Sequence, residues 1–213
     1  MKFKFPERFT SYSQFRINVK TGDLLLTRAS NNIMSNLHSI FLNSPVSHVG
    51  IAVVSSCKDV LIFEAGPRGA QLRGLLDYMR EGADHLWWRP IKENHDLLNH
   101  IESFSKSAYS LGFLLDLPRE LLGIESPGLN EDTEIMANSC GDLVAKVYEK
   151  AGFLSHSKRR WFPMNFLDDS TMPWTTKVLD EIQTVIIDDY KESDYECAQS
   201  SLVDAIYNYS KIY

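Results

Sequence analysis

Two short apolar runs in the first third of the chain constrain its fold most. Segments 47–54 and 60–65 read SHVGIAVV and VLIFEA, and a short polar loop, 55–59, separates them. Apolar, β-branched runs of this length on either side of such a loop predict an antiparallel hairpin. We expect Val54 to pair with Val60, which fixes the register of the whole hairpin.

This register places two polar side chains on one face of the hairpin. His48 and Glu64 share that face because side chains alternate with a period of two along a strand. They are diagonal neighbours, about 7–8 Å apart, a separation that polar side chains can bridge. Gly50 lies opposite Glu64 and is expected to leave room for the carboxylate to lean toward the imidazole. A slip of one residue would separate the pair.

A later segment, 138–152, predicts a helix with one buried face. Asn138 or Ser139 can cap its start, and Gly152 follows its last turn. The stripe at helical spacing consists of Cys140, Leu143, Val144, Val147, Tyr148 and Ala151. Cys140 therefore lies in the first turn, where the positive end of the helix dipole favours a thiolate.

Together, Cys140, His48 and Glu64 supply a nucleophile, a base and an orienting carboxylate. The backbone N–H of Cys140, at a helix start, is a candidate oxyanion donor. Each residue also has a purely structural interpretation. Cys140 could be a small thiol in the core, His48 a strand histidine whose hydrogen bonds are satisfied, and Glu64 a solvated residue at a strand end. Spacing alone is compatible with a triad and with three unrelated residues.

The rest of the chain predicts a single α+β domain spanning 1–213, since 213 residues suit one domain with an elaborated tail. We expect further strands at 24–26, 85–91 and 185–187, and helices at 31–41 and 93–111. We also expect an irregular arm at 1–20, a loop with a short helix at 71–80, an insertion at 112–136, an aromatic turn at 161–166 and an extension over 170–213 with a last helix from Ser200.

Composition excludes several classes of protein. A net charge of -6 argues against nucleic acid as the main partner. The remaining cysteines, Cys57 and Cys197, are widely spaced, and no histidine has a second ligand at metal-binding spacing, so we expect no disulfide framework, metal or cofactor. No signal peptide is recognisable, and no apolar run reaches the ~18 residues of a membrane span. We expect a soluble intracellular protein of the cytoplasm, or of the host cytoplasm or virion if its source is viral.

The order of these motifs resembles a known superfamily. TGDLLLTR, SHVGIAVV, VLIFEA, NSCGDLVAKVYEKAG and FPMNF follow one another between residues 21 and 168. This order is similar to the NlpC-type superfamily of papain-like cysteine enzymes, in its circularly permuted branch. That branch includes YiiX-type proteins, lecithin:retinol acyltransferase-like enzymes and a set of large-DNA-virus proteins.

The resemblance implies a permuted papain-like fold, with a small antiparallel sheet packed against the helix that carries the nucleophile. It implies Cys140 as nucleophile, His48 as base and Glu64 as the third polar residue. Members of the superfamily cleave or transfer acyl groups at amide or ester bonds, so the expected partner is a peptide or acyl-lipid substrate.

Two other functions remain open at this stage. The same fold could serve as a binding, virion or structural module that performs no chemistry. Alternatively, an apolar helix face could make peripheral membrane contact, through Ile33, Met34, Leu37 and Phe41. That helix is short and has few basic residues, which disfavours a membrane-surface role.

Overall fold

The computed structural model describes residues 8–29, 44–55, 58–66, 69–92, 97–104, 139–156, 160–167, 172, 174 and 179–187. The helix predicted at 31–41, the insertion at 112–136, the helix from Ser200, Cys57 and Cys197 lie outside these residues. No helix within the described ranges is long and apolar enough to cross a membrane.

Strands and helices alternate irregularly along the chain, as in an α+β fold. The strands are β1 (Phe9–Ser11), β2 (Leu24–Ala29), β3 (His48–Val54), β4 (Val60–Gly66), β5 (Gly69–Gly74), β6 (Ala83–Arg89) and β7 (Gln183–Ile186). The helices are α1 (Tyr12–Asn18), α2 (Leu75–Arg80), α3 (Leu98–Phe104), α4 (Cys140–Lys150) and a 3-10 helix (Pro163–Leu167).

The strands form one mixed sheet in the order β1-β7-β6-β2-β3-β4-β5. The expectation of a small antiparallel sheet is therefore wrong in two respects. The sheet has seven strands, and β1 pairs with β7 in parallel, with Phe9 opposite Thr184. The other pairs are antiparallel.

The predicted hairpin register is confirmed. Val54 pairs with Val60, and Ala52 pairs with Ile62. Because the loop between the strands is short, few other registers would bury both apolar runs. His48 is the first residue of β3, so it lies at the same end of the sheet as the C-terminal end of β4.

Two predicted segments are wrong. The arm expected to be irregular contains β1 and α1, and α1 buries Tyr12 and Phe15 against the sheet. The first half of the segment expected to be a loop and short helix is strand β5, while α2 follows as predicted. The sequence Gln71-Leu72-Arg73 lacks the apolar alternation that predicts a strand, because two of its side chains face a buried carboxylate.

Helices cover both faces of the sheet, and each face has its own apolar cluster. The predicted stripe of α4 packs on the face that includes Val49, Ile51 and Phe63. Helices α1 and α2 pack on the opposite face, which includes Ala52 and Ile62. By strand alternation His48 and Glu64 belong to this second face.

Candidate active site

Cys140 is the first residue of α4, and its position depends on a well-defined helix start. Ser139 is the N-cap, and its Oγ accepts a hydrogen bond from the Asp142 N–H at 3.1 Å. Ser139 is the second of the two caps that the sequence allowed. Such a cap satisfies one of the free amide groups at a helix start. The side chain of Cys140 is partly buried against the apolar cluster beneath α4, and among the described residues it is a free thiol.

The aromatic turn predicted at 161–166 is hydrogen-bonded to this helix start. The Trp161 N–H donates to Asp142 Oδ1 at 2.8 Å, and the Ser139 hydroxyl lies 3.0 Å from Asp142 Oδ2 and 3.2 Å from the Trp161 carbonyl. The pKa of Asp142 is raised, because the effect of burial exceeds the opposing effect of these hydrogen bonds. The helix start and the turn therefore form one hydrogen-bonded unit around Cys140.

The structure brings His48 and Glu64 together as the sequence predicted. His48 Nε2 lies 2.7 Å from Glu64 Oε2, and the Glu64 side chain is only 2% exposed. The ring N–H does not point straight at the oxygen, so the contact is a close ion pair rather than a well-aligned hydrogen bond. The imidazole itself is 16% exposed, which leaves it accessible from one side.

The space beside Gly50 is used differently from the prediction. A side-chain carbon placed on Gly50 would lie 2.5 Å from Ile62 Cγ1 and 2.8 Å from the Phe63 carbonyl oxygen. The room above Gly50 is therefore filled by Ile62, and the carboxylate reaches His48 without it.

His48 also interacts with Cys140. Burial alone would lower the pKa of His48, but Tyr78, the Cys140 thiol and the Glu64 carboxylate outweigh it, and the pKa lies well above the ordinary 6.5. The nearby Cys140 side chain contributes to this rise.

The electrostatics of Glu64 complement those of His48. Burial would raise the pKa of Glu64, but its close contact with the charged His48 ring outweighs this effect, with further contributions from Gln71 and Arg73, and the net pKa is lowered. An ionised Glu64 beside a protonated His48 is thus the favoured state near neutral pH.

The three predicted residues come from opposite layers of the molecule. His48 and Glu64 lie on the sheet face that carries α1 and α2, whereas α4 packs on the other face. Cys140 reaches His48 because it is the first residue of its helix, as His48 is the first residue of its strand. The site therefore lies at the end of the sheet, where the two layers meet.

Sequence reasoning missed a group of polar residues behind this pair. Gln71 Nε2 donates to Glu64 Oε1 at 3.0 Å, and Arg73 Nη1 lies 3.4 Å from the same oxygen. Tyr78 packs its ring against His48, with centroids 5.6 Å apart. The spacing of Gln71 and Arg73, two residues apart just beyond a turn, was the available signal.

Two cavities lie away from these residues. One, of about 370 Å³, is polar and lies beside β6 and β7, with Arg8, Arg89, Lys92 and Glu181 in its lining. The other, of about 400 Å³, is lined largely by apolar side chains of α2, β6 and β7, including Leu76, Met79 and Val185. Neither lining includes His48, Glu64 or Cys140. In the described ranges, no group of three or more His, Cys, Asp or Glu side chains is arranged to hold a metal ion.

Comparison with known proteins gives a distant structural similarity. No protein-family model matches the sequence, and no curated protein matches it. The fold is similar to the crystal structure of the metalloprotein YiiX from Escherichia coli O157:H7, with a TM-score of 0.45 and 20% sequence identity. The match covers 62% of this chain and 66% of the YiiX chain. A similarity this distant assigns no role to any residue of this chain.

Proposed function

We propose that this protein is a cysteine hydrolase or acyltransferase that acts on an amide or ester bond. One observation carries the proposal: His48 is held between the buried carboxylate of Glu64, at 2.7 Å, and the thiol of Cys140 at the start of a helix. Nucleophile, base and orienting group within mutual reach are the arrangement that covalent catalysis by cysteine requires.

The first half of the reaction forms a thioester. The Cys140 thiolate attacks the carbonyl carbon of the substrate, and the carbonyl oxygen takes up the negative charge of a tetrahedral intermediate. When that intermediate collapses, the carbon–nitrogen or carbon–oxygen bond breaks. His48 donates its proton to the leaving amine or alcohol, so the acyl group remains on sulfur and His48 becomes neutral.

The second half releases the acyl group. Neutral His48 takes a proton from water, or from an acceptor amine or alcohol, and the oxygen or nitrogen attacks the thioester carbon. Collapse of this second intermediate returns the Cys140 thiolate and the His48 imidazolium. Water as acceptor gives hydrolysis, and another nucleophile gives acyl transfer, without any metal or cofactor in either case.

The remaining groups stabilise charge along this path. Glu64 holds the imidazole through Nε2 and stabilises the imidazolium, as the third residue does in other triads. The backbone N–H of Cys140 is at the helix start, where it points toward developing negative charge on the substrate oxygen.

The fold and partners belong to the same proposal. A strand bearing histidine that precedes a helix bearing cysteine is the chain order of the permuted papain-like branch that the sequence resembles. We therefore propose a peptide or acyl-lipid substrate, an intracellular location and at most peripheral contact with membranes. The charge of -6 supports the absence of nucleic acid from the partners.

Trapping of the acyl-enzyme tests this function directly. The protein is mixed with p-nitrophenyl esters of short and long acids and with a peptide p-nitroanilide, and its intact mass is followed on the timescale of nitrophenol release. We expect one acyl adduct, mapped to Cys140 and removed by hydroxylamine. Cys140→Ala should abolish it, and His48→Ala should slow its formation by about a hundredfold or more, the contribution of a positioned general acid–base group.

A matched histidine variant separates a specific base from general damage. His85 lies on β6, which β2 separates from the strand of His48, and its ring stacks on Trp87 at 5.5 Å. His85→Ala should acylate at the wild-type rate. Acylation spread equally over Cys57, Cys140 and Cys197, or unchanged in His48→Ala, would contradict an enzymatic role and favour a binding module.

A further inference from the structure

The two oxygens of the Glu64 carboxylate have different partners. Oε2 faces His48 at 2.7 Å, while Oε1 accepts the Gln71 amide at 3.0 Å and lies 3.4 Å from Arg73 Nη1. Gln71 pairs with Glu64 in the β4–β5 register, and Arg73 lies two residues further along the same face. Donors on Oε1 fix the plane of the carboxylate, and so fix where Oε2 points.

Arg73 is itself held in place from two other directions. Its Nη2 lies 2.5 Å from Glu81 Oε2, just beyond the end of α2. Its guanidinium carbon lies 5.2 Å from the centre of the Tyr78 ring, within the range of a cation–π contact.

Tyr78 connects Arg73 to the imidazole. The same ring that lies under Arg73 packs against His48 at 5.6 Å. The Tyr78 hydroxyl shares a hydrogen bond of 2.9 Å with Thr27 Oγ1, and Thr27 pairs with His48 across β2 and β3. The Arg73 guanidinium and the His48 imidazole therefore both contact the Tyr78 ring, whose position is fixed by the hydrogen bond to Thr27.

We propose that Arg73 is a positioning residue of this site, whose charge and geometry hold Glu64 so that Oε2 orients His48 toward Cys140. The inference rests on the proposed function and adds to it a group that touches neither the substrate nor the thiol.

The charges around the histidine define what loss of Arg73 should do. In the part of the chain that the structure describes, Glu64 from β4, Tyr78 from α2 and Cys140 from α4 face His48, and Arg73 and Glu81 lie behind Glu64. These groups alternate in sign from Glu81 through Arg73, Glu64 and His48 to a Cys140 thiolate. Removing the positive charge of Arg73 therefore disfavours negative charge on Glu64 and Cys140, so Cys140 should be alkylated more slowly at acid pH.

The test measures iodoacetamide alkylation of each cysteine by mass spectrometry between pH 5 and 9. The proteins are wild type, His48→Ala, Arg73→Met, Arg73→Gln and Arg73→Lys. Methionine preserves the aliphatic stem against Tyr78, and the Arg73 side chain is already 25% exposed, so these variants should fold. Arg8→Met is the matched control, because Arg8 pairs with the exposed Glu181 beside β1, at the opposite edge of the sheet.

We expect Arg73→Met and Arg73→Gln to alkylate Cys140 about tenfold more slowly at pH 6, the change that a displacement of the acid limb by about one pH unit produces. The acid limb of the pH profile should move to higher pH. Arg73→Lys keeps the positive charge, so the acid limb of its pH profile should lie close to that of wild type. Arg8→Met should match wild type.

Two results would overturn the inference. One is a wild-type rate and profile in Arg73→Met, and the other is equal impairment of the methionine and lysine variants, which would mean packing alone. Failure of the proposed function has a different signature. In that case wild-type Cys140 would react no faster than Cys57 and Cys197, or His48→Ala would change nothing.

Discussion

His48 joins the two parts of the candidate site, since it contacts a carboxylate on one side and a thiol on the other. Such a residue is unusual for a structural histidine, because its pKa is raised in spite of burial. Burial normally favours the neutral imidazole. Tyr78, the Cys140 sulfur and the Glu64 carboxylate reverse that preference, and they favour the protonated form in the folded state.

The stability of the pair should depend on pH in a defined direction. His48 has a raised pKa, so its contribution is complete below 6.5 and is lost as pH rises through the folded-state value. Glu64 has a lowered pKa, so its contribution is complete above 4.5 and is lost as pH falls through the folded-state value. Both contributions are complete between pH 4.5 and 6.5.

We therefore predict that Glu64→Gln lowers the free energy of unfolding most in this window, by about 2 kcal/mol, which is typical for a hydrogen bond to a charged group. The difference from wild type should shrink at pH 9. Urea denaturation at pH 5.5, 7 and 9 measures it. Glu181→Gln is the control, because Glu181 is 73% exposed and its partner Arg8, 3.1 Å away, is 70% exposed. It should change stability by less than about 1 kcal/mol. An equal loss from Glu64→Gln at every pH would contradict the linkage.

At the scale of elements, α4 depends on two glycines for opposite reasons. A side-chain carbon on Gly141 would lie 2.1 Å from the Trp161 carbonyl oxygen, which is backbone and cannot move away cheaply. Gly152 has open space around it, but its φ of 81° belongs to the left-handed region. It ends the helix in a Schellman motif, in which the Phe153 N–H bonds the Tyr148 carbonyl.

We predict that Gly141→Ala is the more damaging of the two substitutions. It should destabilise the protein by about 3 kcal/mol, as overpacking against backbone does, and should also slow alkylation of the adjacent Cys140. Gly152→Ala should cost only about 1 kcal/mol, the usual cost of a side chain in that backbone region. Urea denaturation of both variants measures the difference, and a Gly152 effect as large as that of Gly141 would contradict the steric explanation.

The elements that sequence reasoning identified are those governed by local patterns. The hairpin of β3 and β4 follows from two apolar runs and a short loop, so the relation between His48 and Glu64 could be predicted with it. Helix α4 follows from its periodicity and its capping residues. Local patterns therefore predict two parts of the candidate site separately: the His48–Glu64 pair on the hairpin, and Cys140 at the start of α4.

The elements that it missed depend on distant partners. Strand β1 has three residues, and it pairs with β7 near the far end of the sequence. Strand β5 has polar residues on its inner face because they bind Glu64, which no apolar alternation reveals. The meeting of His48 with Cys140 likewise depends on how α4 crosses the sheet, which the sequence does not specify.

At the scale of the whole molecule, a turn between α1 and β2 connects the layers that meet at the site. The Tyr148 hydroxyl of α4 donates to the Gly22 carbonyl at 2.8 Å. The carboxylate of Asp23, buried beside it, accepts from Trp88 Nε1 and from the Ile91 N–H, both at 2.8 Å. These bonds tie helix α4, β2 and β6 together, and so fix the distance between the layers.

We predict that Tyr148→Phe destabilises the protein by about 1–3 kcal/mol, because it leaves a buried carbonyl without a donor. The ring contacts with Phe153 and Trp174 remain in this variant, so the loss can be assigned to the hydroxyl. Urea denaturation at pH 7 measures it, and unchanged stability would show that the bond does not hold the layers together.

The most direct test of the proposed catalytic site is the reactivity of its thiol. Alkylation of Cys140 by iodoacetamide, followed by mass spectrometry from pH 5 to 9, compares wild type with His48→Ala, and Cys57 and Cys197 serve as internal references. We predict that wild-type Cys140 already reacts at pH 6 while the other two cysteines react only at alkaline pH, and that His48→Ala removes this difference. A Cys140 that reacts like the other two cysteines in folded wild-type protein would contradict an activated Cys140–His48 pair.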